Sequence, residues 1–585
     1  MSKTQSKSNS LINYVGFVVI LLMVNVLAYF YPKRIDLTED KRYSLSDYTV
    51  EMLQDENRLK DRVFFKVYLE GDLPADMKNI RNEINNILDE FVAVAGDKIQ
   101  YEFIDTDGSD DEEYNDQVKQ NIFNKGKGIL PTYLKNINSS SAELKTIWPG
   151  AIVEYRGKTA DVVQFFDREQ LVIDENITQL IDKTINNIEF KLISAIRRVT
   201  TDKKKRIGFL QGHGELDKNM TWDIRQVLKK DYVIGDVEIN GQLNAFDDID
   251  ALIIAKPVEP FNEKDKFIID QFIMRGGKTL WFIDPIDVNI DSLAFTGETM
   301  GLSRNLNIEK DLLFKYGVRI NNDLIVDNQS ANELVPPNNI KPPGLPWVFY
   351  PIVYPEKHPI CLNIDPVLTQ YTSSIHVVNE KDKEVKKTIL LKSSPESKSL
   401  LAPVRINWGF AFDQWKPDFS NPEFGNNPIA VLLEGKFKSP FENRISEAFL
   451  KGEVYQTKFK SVENKMLVVA DGDMINSSYI YFKNGQKKIA PIPLHVDRMG
   501  VITNNGTPKF VYGNREFIQN AVDYLLGDNS LIGIRSKTIT LRMLDDEKVA
   551  KEKSFWKSIN IIIPLAFLAI LAFILYLIRK RKYAH

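Results

Sequence analysis

The chain has 585 residues, of which 26% are charged and 43% are hydrophobic. This composition is typical of globular protein and excludes a wholly disordered or wholly membrane-embedded chain. The formal net charge is only −3, so the chain as a whole has no long-range field that would draw it to nucleic acid or to an anionic lipid surface. The single cysteine, Cys361, excludes an intrachain disulfide.

The N-terminus contains an apolar segment long enough to span a membrane. Residues 11–31 read LINYVGFVVILLMVNVLAYFY, in which only Asn13 and Asn25 are strongly polar, and a helix of this length covers the ~30 Å hydrocarbon core. A cleaved secretory signal is the alternative, but its apolar region is usually about 7 to 15 residues long and ends at an Ala-x-Ala-like site. We therefore predict an uncleaved transmembrane helix over 11–31, preceded by a cytoplasmic tail, residues 1–10.

A second apolar segment lies near the C-terminus. Residues 559–578 contain Pro564 and no charged side chain, which predicts a transmembrane helix over 557–578. The basic residues of the tail 579–585 follow it directly, and the positive-inside rule assigns such a cluster to the cytoplasm. Two spans then place both termini in the cytoplasm and residues 32–556 in the periplasm of a bacterium with an inner membrane.

Residues 32–200 are predicted to form an N-terminal α/β domain. The apolar run 63–69 indicates a buried strand, apolar residues recur at helical spacing between Met77 and Phe91, and a second strand follows at 99–105. Strand, helix and strand in this order predict a βαβ unit.

Residues 201–530 are predicted to form a doubly wound α/β domain. Strands over 206–210, 251–255 and 279–284 alternate with helical segments, and a strand near 465 with a helix over 514–526 completes the pattern. The stretch between them, about 300–460, is rich in proline and in β-like runs, which indicates a β-rich insertion. Residues 531–556 form a membrane-proximal linker, whose alternating run 534–542 is predicted to pair with residues 34–38.

Polar residues follow several strands of this second domain. His213 and Glu215 follow the first strand, Asp284 ends the strand 279–284, and Asp471 and Asp473 follow the strand near 465. Because open α/β sheets bind ligands at the carboxyl ends of their strands, these residues form a candidate ligand or partner edge. The favoured interpretation is structural: a turn with a solvated histidine at 213, and turn or N-cap chemistry for Asp-Gly-Asp.

No catalytic or cofactor signature is complete. Gly277-Lys278-Thr279 resembles the end of a phosphate-binding loop, but it follows a helix and opens a strand, the reverse of that motif. Residues 105–116 are acidic, but their glycine is misplaced for a calcium loop. Cys361 and His358 lie in a proline-rich region without a strained elbow. We expect no enzyme activity, no cofactor and no metal.

Several segments together resemble a known family. They are RIDLTEDKRYSLSDYT after the first apolar segment, IGFLQGHGE, TLWFIDP, HPICLNID, and VVADGD followed by GNREFIQNAVDYLLGD. The chain resembles the auxiliary ABC-transporter proteins, in particular the gliding-motility members found in Bacteroidetes. The resemblance implies a glutamine-amidotransferase-like α/β fold without the catalytic cysteine, a multi-span permease partner (GldF-like), a cytoplasmic ATPase (GldA-like), and a role in gliding motility and in export.

Two functions are therefore expected as alternatives. The first is a non-catalytic, membrane-anchored accessory subunit whose periplasmic body binds cell-envelope motility proteins. Its spans would pack against the permease at Asn13, Asn25 and Pro564, because polar and helix-distorting residues are accommodated more easily against protein than against lipid. The second is a periplasmic receptor domain that binds a sugar or a peptide near His213 and Asp284.

Overall fold

The computed structural model describes most of the residues between 44 and 583. The described residues are 16–17, 19–20, 22–23, 44–124, 128–135, 144–166, 172–173, 177–333, 344–362, 364–378, 384–412, 418, 425–442, 456–477, 479–481, 489–497, 512–527, 534 and 546–583.

The N-terminal part of the chain forms a small α/β unit. Its elements are α1 (Asp47–Gln54), β1 (Val63–Val67), α2 (Ala75–Ala95), β2 (Ile99–Phe103), α3 (Glu112–Asn124), β3 (Thr132–Lys135), β4 (Leu144–Ile147), β5 (Gly150–Tyr155), β6 (Lys158–Gln164), β7 (Val172–Ile173) and α4 (Ile177–Thr200). The main sheet has the order β2-β1-β5-β6. β1 and β2 pair in parallel across α2, which is the βαβ unit that the sequence predicts.

The long helices α2 and α4 supply most of the core of this unit. Apolar residues at helical spacing, such as Ile80, Ile84 and Leu88 of α2, are buried against Ile188 and Leu192 of α4 and against the sheet. The buried carboxylate of Glu189 accepts hydrogen bonds from the Ser46 backbone N–H at 2.7 Å and from the Thr49 hydroxyl at 2.8 Å, which fixes the start of α1 on α4.

The second part of the chain is built on one large sheet. Its first elements are β8 (Arg206–Gln211), α5 (Trp222–Leu228), β9 (Val233–Glu238), β10 (Ala251–Ala255), α6 (Glu263–Met274) and β11 (Lys278–Phe282). The middle elements are β12 (Ile286–Asp287), α7 (Ile290–Thr296), β13 (Glu298–Ser303), a π-helical turn (Glu309–Leu313), α8 (Phe314–Tyr316), β14 (Val318–Ile320), β15 (Asp323–Asp327), β16 (Ser330–Glu333), β17 (Leu345–Pro355), β18 (Val367–Leu368), β19 (Ile375–Val377), β20 (Val385–Lys392), β21 (Ser397–Leu401), β22 (Val404–Asn407) and β23 (Pro428–Gly435). The last are β24 (Asn464–Val469), β25 (Tyr479–Tyr481), β26 (Ile489–Pro491), α9 (Asn514–Leu525) and α10 (Asp546–Tyr583).

Five parallel strands form one half of the large sheet, with β9 at its edge. Their order is β9-β8-β10-β11-β24, and all four adjacent pairs are parallel. In chain order this is 2-1-3-4-5, the flavodoxin-like arrangement of a doubly wound sheet. Side chains alternate between two cores, because successive residues of a strand point to opposite faces. For example, Ile253 faces the core that α5 and α9 cover, whereas Ile254 faces the core that α6 covers.

The proline-rich middle of the chain extends the same sheet. Beyond β24 the order continues β23-β20-β17-β16, with antiparallel pairing throughout. The sequence indicates β-like runs in this proline-rich stretch, and one of its strands, β17, lies inside the sheet between β16 and β20. Its prolines are tolerated because β17 pairs with β20 over only two residues and with β16 through an irregular register.

One helix among the described residues is long and apolar enough to cross a membrane. It spans Phe555–Arg581 within α10, and its most apolar stretch of 18 residues has a mean hydropathy of 3.0 and no buried residue. Pro564 lies inside it. The predicted N-terminal span with Asn13 and Asn25 lies outside the described residues, apart from six helical residues between 16 and 23.

Ile534 is the one described residue between Gly527 and α10. Ile534 is 1% exposed and belongs to the same apolar core as α2 and α4. The other residues of the predicted pairing between 534–542 and 34–38 lie outside the described part of the chain.

Candidate functional site

The predicted site residues lie at the carboxyl ends of the parallel strands, which we call the carboxyl edge of the large sheet. β8, β10, β11 and β24 all end there, and the residues that follow them include His213, Lys256, Asp284 and Asp471. In a sheet of this order, the position where ligands bind is the crevice between the carboxyl ends of β8 and β10. The site residues separate into two clusters, one around His213 and one around Lys256.

His213 lies buried between two carboxylates. Its Nδ1 is 3.3 Å from Glu215 Oε1, its Nε2 is 3.1 Å from Asp265 Oδ2, and its ring stacks on Phe261 at a centroid distance of 3.9 Å. Burial alone would lower the pKa of His213, but the two carboxylates raise it above its ordinary value. The prediction of a solvated histidine is wrong, because the side chain is only 7% exposed. Its polar atoms are already used within the chain.

The crevice between β8 and β10 is filled by the two loops that follow these strands. The carbonyl of His213 accepts hydrogen bonds from the Val258 and Glu259 backbone N–H groups at 2.9 Å, and the Leu216 N–H donates to the Ala255 carbonyl at 2.9 Å. Gly214 sits in the seam with φ +71°, and a Cβ there would lie 2.3 Å from Val258 Cγ2. This crevice is therefore closed by backbone contacts.

The second cluster is built around the ammonium group of Lys256. Nζ lies 2.6 Å from Asp473 Oδ2 and 3.0 Å from Asp284 Oδ2. Lys256 has φ +53°, the left-handed region that a lysine seldom adopts. Burial would lower the pKa of Lys256, but the two carboxylates raise it. The cluster ties the ends of β10, β11 and β24 together.

Asp471 lies behind this cluster, and its carboxylate is occupied by backbone donors. Oδ1 accepts from the Asp473 N–H at 2.8 Å and the Met474 N–H at 2.9 Å, and Oδ2 accepts from the Gln370 N–H at 2.8 Å. This is the capping geometry of a short 3₁₀ turn over Asp473–Ile475. Burial, with Asp284 and Asp473 nearby, raises the pKa of Asp471 well above its ordinary value.

Neither cluster has the form of a metal site. Among the described residues, no group of three or more His, Cys, Asp or Glu side chains is arranged to hold a metal ion. The small polar cleft beside His213 has a volume of about 230 Å³ and is lined in part by Glu238, Asn240 and Lys264. It is smaller than the roughly 300 to 1,000 Å³ of a typical small-molecule pocket.

Cys361 and His358 do not form a reactive pair. The Cys361 thiol is buried and lies 3.6 Å from the Leu390 carbonyl, and burial, with Glu356 nearby, raises its pKa to about 12. His358 Nδ1 accepts the Ile360 N–H at 3.2 Å, and burial lowers the pKa of His358. A protonated thiol beside a neutral imidazole that is already hydrogen-bonded is a poor nucleophile.

Two residues of these clusters, Lys256 and Asp265, were not identified as site residues from the sequence. Lys256 follows a fully buried strand, so its position at the carboxyl edge could be inferred, but its contact with Asp473 spans 217 residues. Asp265 lies in the first turn of α6 behind the N-cap Asn262 and reads from sequence as a helix-start residue. Long-range pairing of this kind is set by the tertiary fold.

Comparisons with known proteins show the family of the chain. Residues 204–521 match the family of auxiliary proteins described as "ABC-type uncharacterized transport system", and residues 39–154 match a domain of unknown function, DUF7088. No curated protein matches the chain. A solved structure described as "mmIFT52 N-terminal domain" is 14% identical, covers 55% of this chain and 98% of its own, and gives a TM-score of 0.30, too low to carry an argument. Because the first match covers more than half of the sequence, the chain belongs to the auxiliary family of ABC-type transport systems.

Proposed function

We propose that the chain is a non-catalytic accessory subunit of an ABC-type transporter, held in the inner membrane by a helix at each end with its body in the periplasm. The observation that carries the proposal is that the crevice at the carboxyl edge, between β8 and β10, is filled by the chain itself. The polar groups where such a sheet would bind a substrate are bonded to one another. A body of this kind suits protein contact better than chemistry.

The apolar helix supports a permanent membrane location. The apolar part of Phe555–Arg581 is not buried against the rest of the chain, and its basic end, Arg579 to Arg581, favours a cytoplasmic C-terminus. A second span over 11–31 would place both termini in the cytoplasm. Nucleotide hydrolysis would then belong to a cytoplasmic partner and not to this chain.

The expected partners are a multi-span permease, GldF-like, and through it a cytoplasmic ATPase, GldA-like. This expectation rests on the resemblance of the chain's segments to the gliding-motility component GldG, which also suggests gliding motility and export as the processes served. Pro564 lies inside the apolar helix, where proline removes one backbone hydrogen bond. Such a position packs more readily against another protein than against lipid.

Isolation of the tagged full-length chain from native membranes in mild detergent tests the proposal. We expect a permease and an ATPase to be recovered with it in fixed ratio, and the Pro564→Ala variant to recover less permease. Ile562→Ala, on the same helix and 61% exposed, is the matched control and should recover as much as the wild type. Recovery of the chain alone, in detergent that keeps another membrane complex intact, would contradict the proposal.

The receptor alternative predicts a different result. A sugar or peptide bound near His213 and Asp284 would raise the melting temperature of the chain, because a ligand that binds only the folded state stabilises it. We expect no such rise across a metabolite and peptide library, since the clusters are closed. A concentration-dependent rise that His213→Gln removes would establish the receptor function instead.

Loss of the only thiol tests the absence of enzyme activity most simply. Cys361→Ser should leave motility and export unchanged, because the buried thiol is hydrogen-bonded to a carbonyl and not to a base. Loss of motility in a variant that still accumulates in the membrane would argue for chemistry at this residue.

A further inference from the structure

A cleft lies at the amino ends of the parallel strands, which we call the amino edge of the large sheet. It has a volume of about 290 Å³ and separates the C-terminal half of α6 from residues 243–250, the segment that leads into β10. We call it the α6 cleft. None of its lining residues belongs to the clusters around His213 and Lys256 at the carboxyl edge.

Apolar side chains form the walls of the α6 cleft. Phe246 and Ile268 are buried, and the ring of Phe272 meets that of Phe246 edge to face at a centroid distance of 5.3 Å. Phe272 packs against Gly277, where a Cβ would lie 2.3 Å from the ring. The absence of a side chain at Gly277 therefore gives this wall its shape.

The wall formed by residues 243–250 is fixed by the chain itself. Four backbone N–H groups each donate to the carbonyl three residues earlier, at 2.8 to 3.2 Å; the donors are Gln242, Ala245, Asp247 and Ile249. At the end of the segment, the Asp250 N–H donates to the Arg206 carbonyl at 2.9 Å, and the Asp250 carboxylate accepts the Arg206 N–H at 2.7 Å. Because this wall is already ordered, a partner would lose less entropy in binding to it.

Acidic side chains predominate at the mouth of the α6 cleft. Asp247, Asp248 and Asp250 are all exposed there. Arg275 Nη1 lies 3.3 Å from Asp247 Oδ1, and Arg206 Nη1 lies 3.5 Å from Asp248 Oδ2, so the mouth has three carboxylates and two guanidinium groups. The last turn of α6 adds the partial negative charge of a helix C-terminus. The mouth therefore favours a cation over an anion.

The size of the α6 cleft suits one large side chain. Its volume of about 290 Å³ is at the lower limit of the roughly 300 to 1,000 Å³ of a small-molecule pocket. Protein partners commonly bind through one large side chain that fills a pocket of this kind, surrounded by a polar rim. Apolar walls with an acidic rim match an apolar side chain that has a basic neighbour.

We infer that the α6 cleft binds an apolar side chain of a protein partner, next to a lysine or an arginine in the partner's sequence. The inference deepens the proposed function, on which it rests, because it names a surface through which the body contacts a protein. Its test uses peptides and no permease. An accessory subunit that binds its partners elsewhere would still recover the permease, so the two proposals fail separately.

Short capped peptides test this inference with the full-length chain in phosphatidylcholine nanodiscs. Their central residues are Phe-Lys, Ala-Lys or Phe-Glu, their affinities are measured by microscale thermophoresis, and empty nanodiscs are the blank. We expect the Phe-Lys peptide to bind roughly ten-fold more tightly than the Ala-Lys peptide, which lacks the anchor. It should also bind several-fold more tightly than the Phe-Glu peptide. Equal affinities, or no binding of the Phe-Lys peptide at millimolar concentration, would overturn the inference.

Hydrogen exchange locates the bound peptide. With the Phe-Lys peptide at saturation, residues 243–250 and 272–277 should exchange more slowly than in the free chain. Residues 211–216 at the carboxyl edge should be unchanged. Protection at the carboxyl edge in place of the α6 cleft would overturn the inference and favour the receptor alternative.

A charge-reversal variant tests the role of the acidic mouth. Asp247→Lys should weaken binding of the Phe-Lys peptide several-fold and strengthen binding of the Phe-Glu peptide. Asp287→Lys is the matched control, because the side chains of Asp287 and Asp247 are both 60% exposed and each is paired with an arginine. It should bind both peptides as the wild type does. Unchanged affinities in Asp247→Lys would also overturn the inference, and the wild-type comparison of peptides stands even if a variant does not fold.

Discussion

The carboxyl and amino ends of the parallel strands in the large sheet differ in how their charged side chains are placed. At the carboxyl ends, Lys256 is half-buried and His213 is buried, and each lies between two carboxylates. Beyond the amino ends, Lys438, which follows β23, and Lys460, which precedes β24, are exposed, and both lie 2.9 Å from Glu384. Buried charges must be paired to offset their desolvation, whereas exposed ion pairs contribute little to stability. The comparison indicates that the end of the sheet where this fold usually binds ligands has a structural role here.

The largest expected effect comes from removing the cation of the carboxyl edge. Lys256→Met leaves Asp284 and Asp473 buried without their ammonium partner, which should lower the free energy of unfolding by about 3 to 5 kcal/mol. Urea denaturation of the full-length chain in detergent measures the change. Lys436→Met, at the exposed amino edge, is the matched control and should change it by less than about 0.5 kcal/mol. A similar loss of unfolding free energy in both variants would show that Lys256 is no more important for stability than an exposed lysine.

Replacement of Ile534 should lower the free energy of unfolding by almost as much. Ile534 is fully buried in the N-terminal core, so Ile534→Ala should cost about 2 to 4 kcal/mol through lost burial and the cavity left behind. Leu401→Ala, at a position that is 77% exposed, should cost little. If limited proteolysis after 527 were equally slow in both variants, the segment would not be anchored as described.

One added methyl group should disrupt the contact between the loops that follow β8 and β10. Gly214 and Gly157 have nearly the same φ, +71° and +70°, but a Cβ at 214 would meet Val258 at 2.3 Å and one at 157 would meet nothing within 4 Å. Gly214→Ala should therefore cost about 1 to 3 kcal/mol, and Gly157→Ala about 1 kcal/mol, from backbone strain alone. Thermal unfolding of the two variants measures the difference, and equal midpoints would show that the crevice is not tightly closed.

The smallest effect should be the pH dependence that His213 adds. Its folded-state pKa is raised above the value of about 6.5 of an unfolded histidine. Its contribution to stability is therefore complete below about pH 6.5 and is lost as the pH rises through the raised pKa. The stability difference between wild type and His213→Gln should therefore be larger at pH 6 than at high pH. A difference that grows as the pH rises would contradict the raised pKa of His213.

Much of the strand pattern could be predicted from the sequence, because it depends on the residues within each strand. Buried parallel strands such as β10 are continuous apolar runs, so their existence and their common carboxyl edge follow from the order of elements. The antiparallel half of the sheet could not be predicted in the same way, because β20 and β23 find their partners through distant pairing. The ion pair of Lys256 with Asp473 is a second case, since the two residues are 217 positions apart.

Hydrogen exchange of the full-length chain, alone in nanodiscs and within its isolated transporter complex, tests the central claim most directly. The account predicts that residues 211–216 and 255–259 exchange slowly in both states, because their seam is closed by the chain itself. New protection on assembly should appear elsewhere, on surfaces that are open in the isolated chain. Fast exchange across the seam in the isolated chain, with protection only after a partner or ligand binds, would contradict the account.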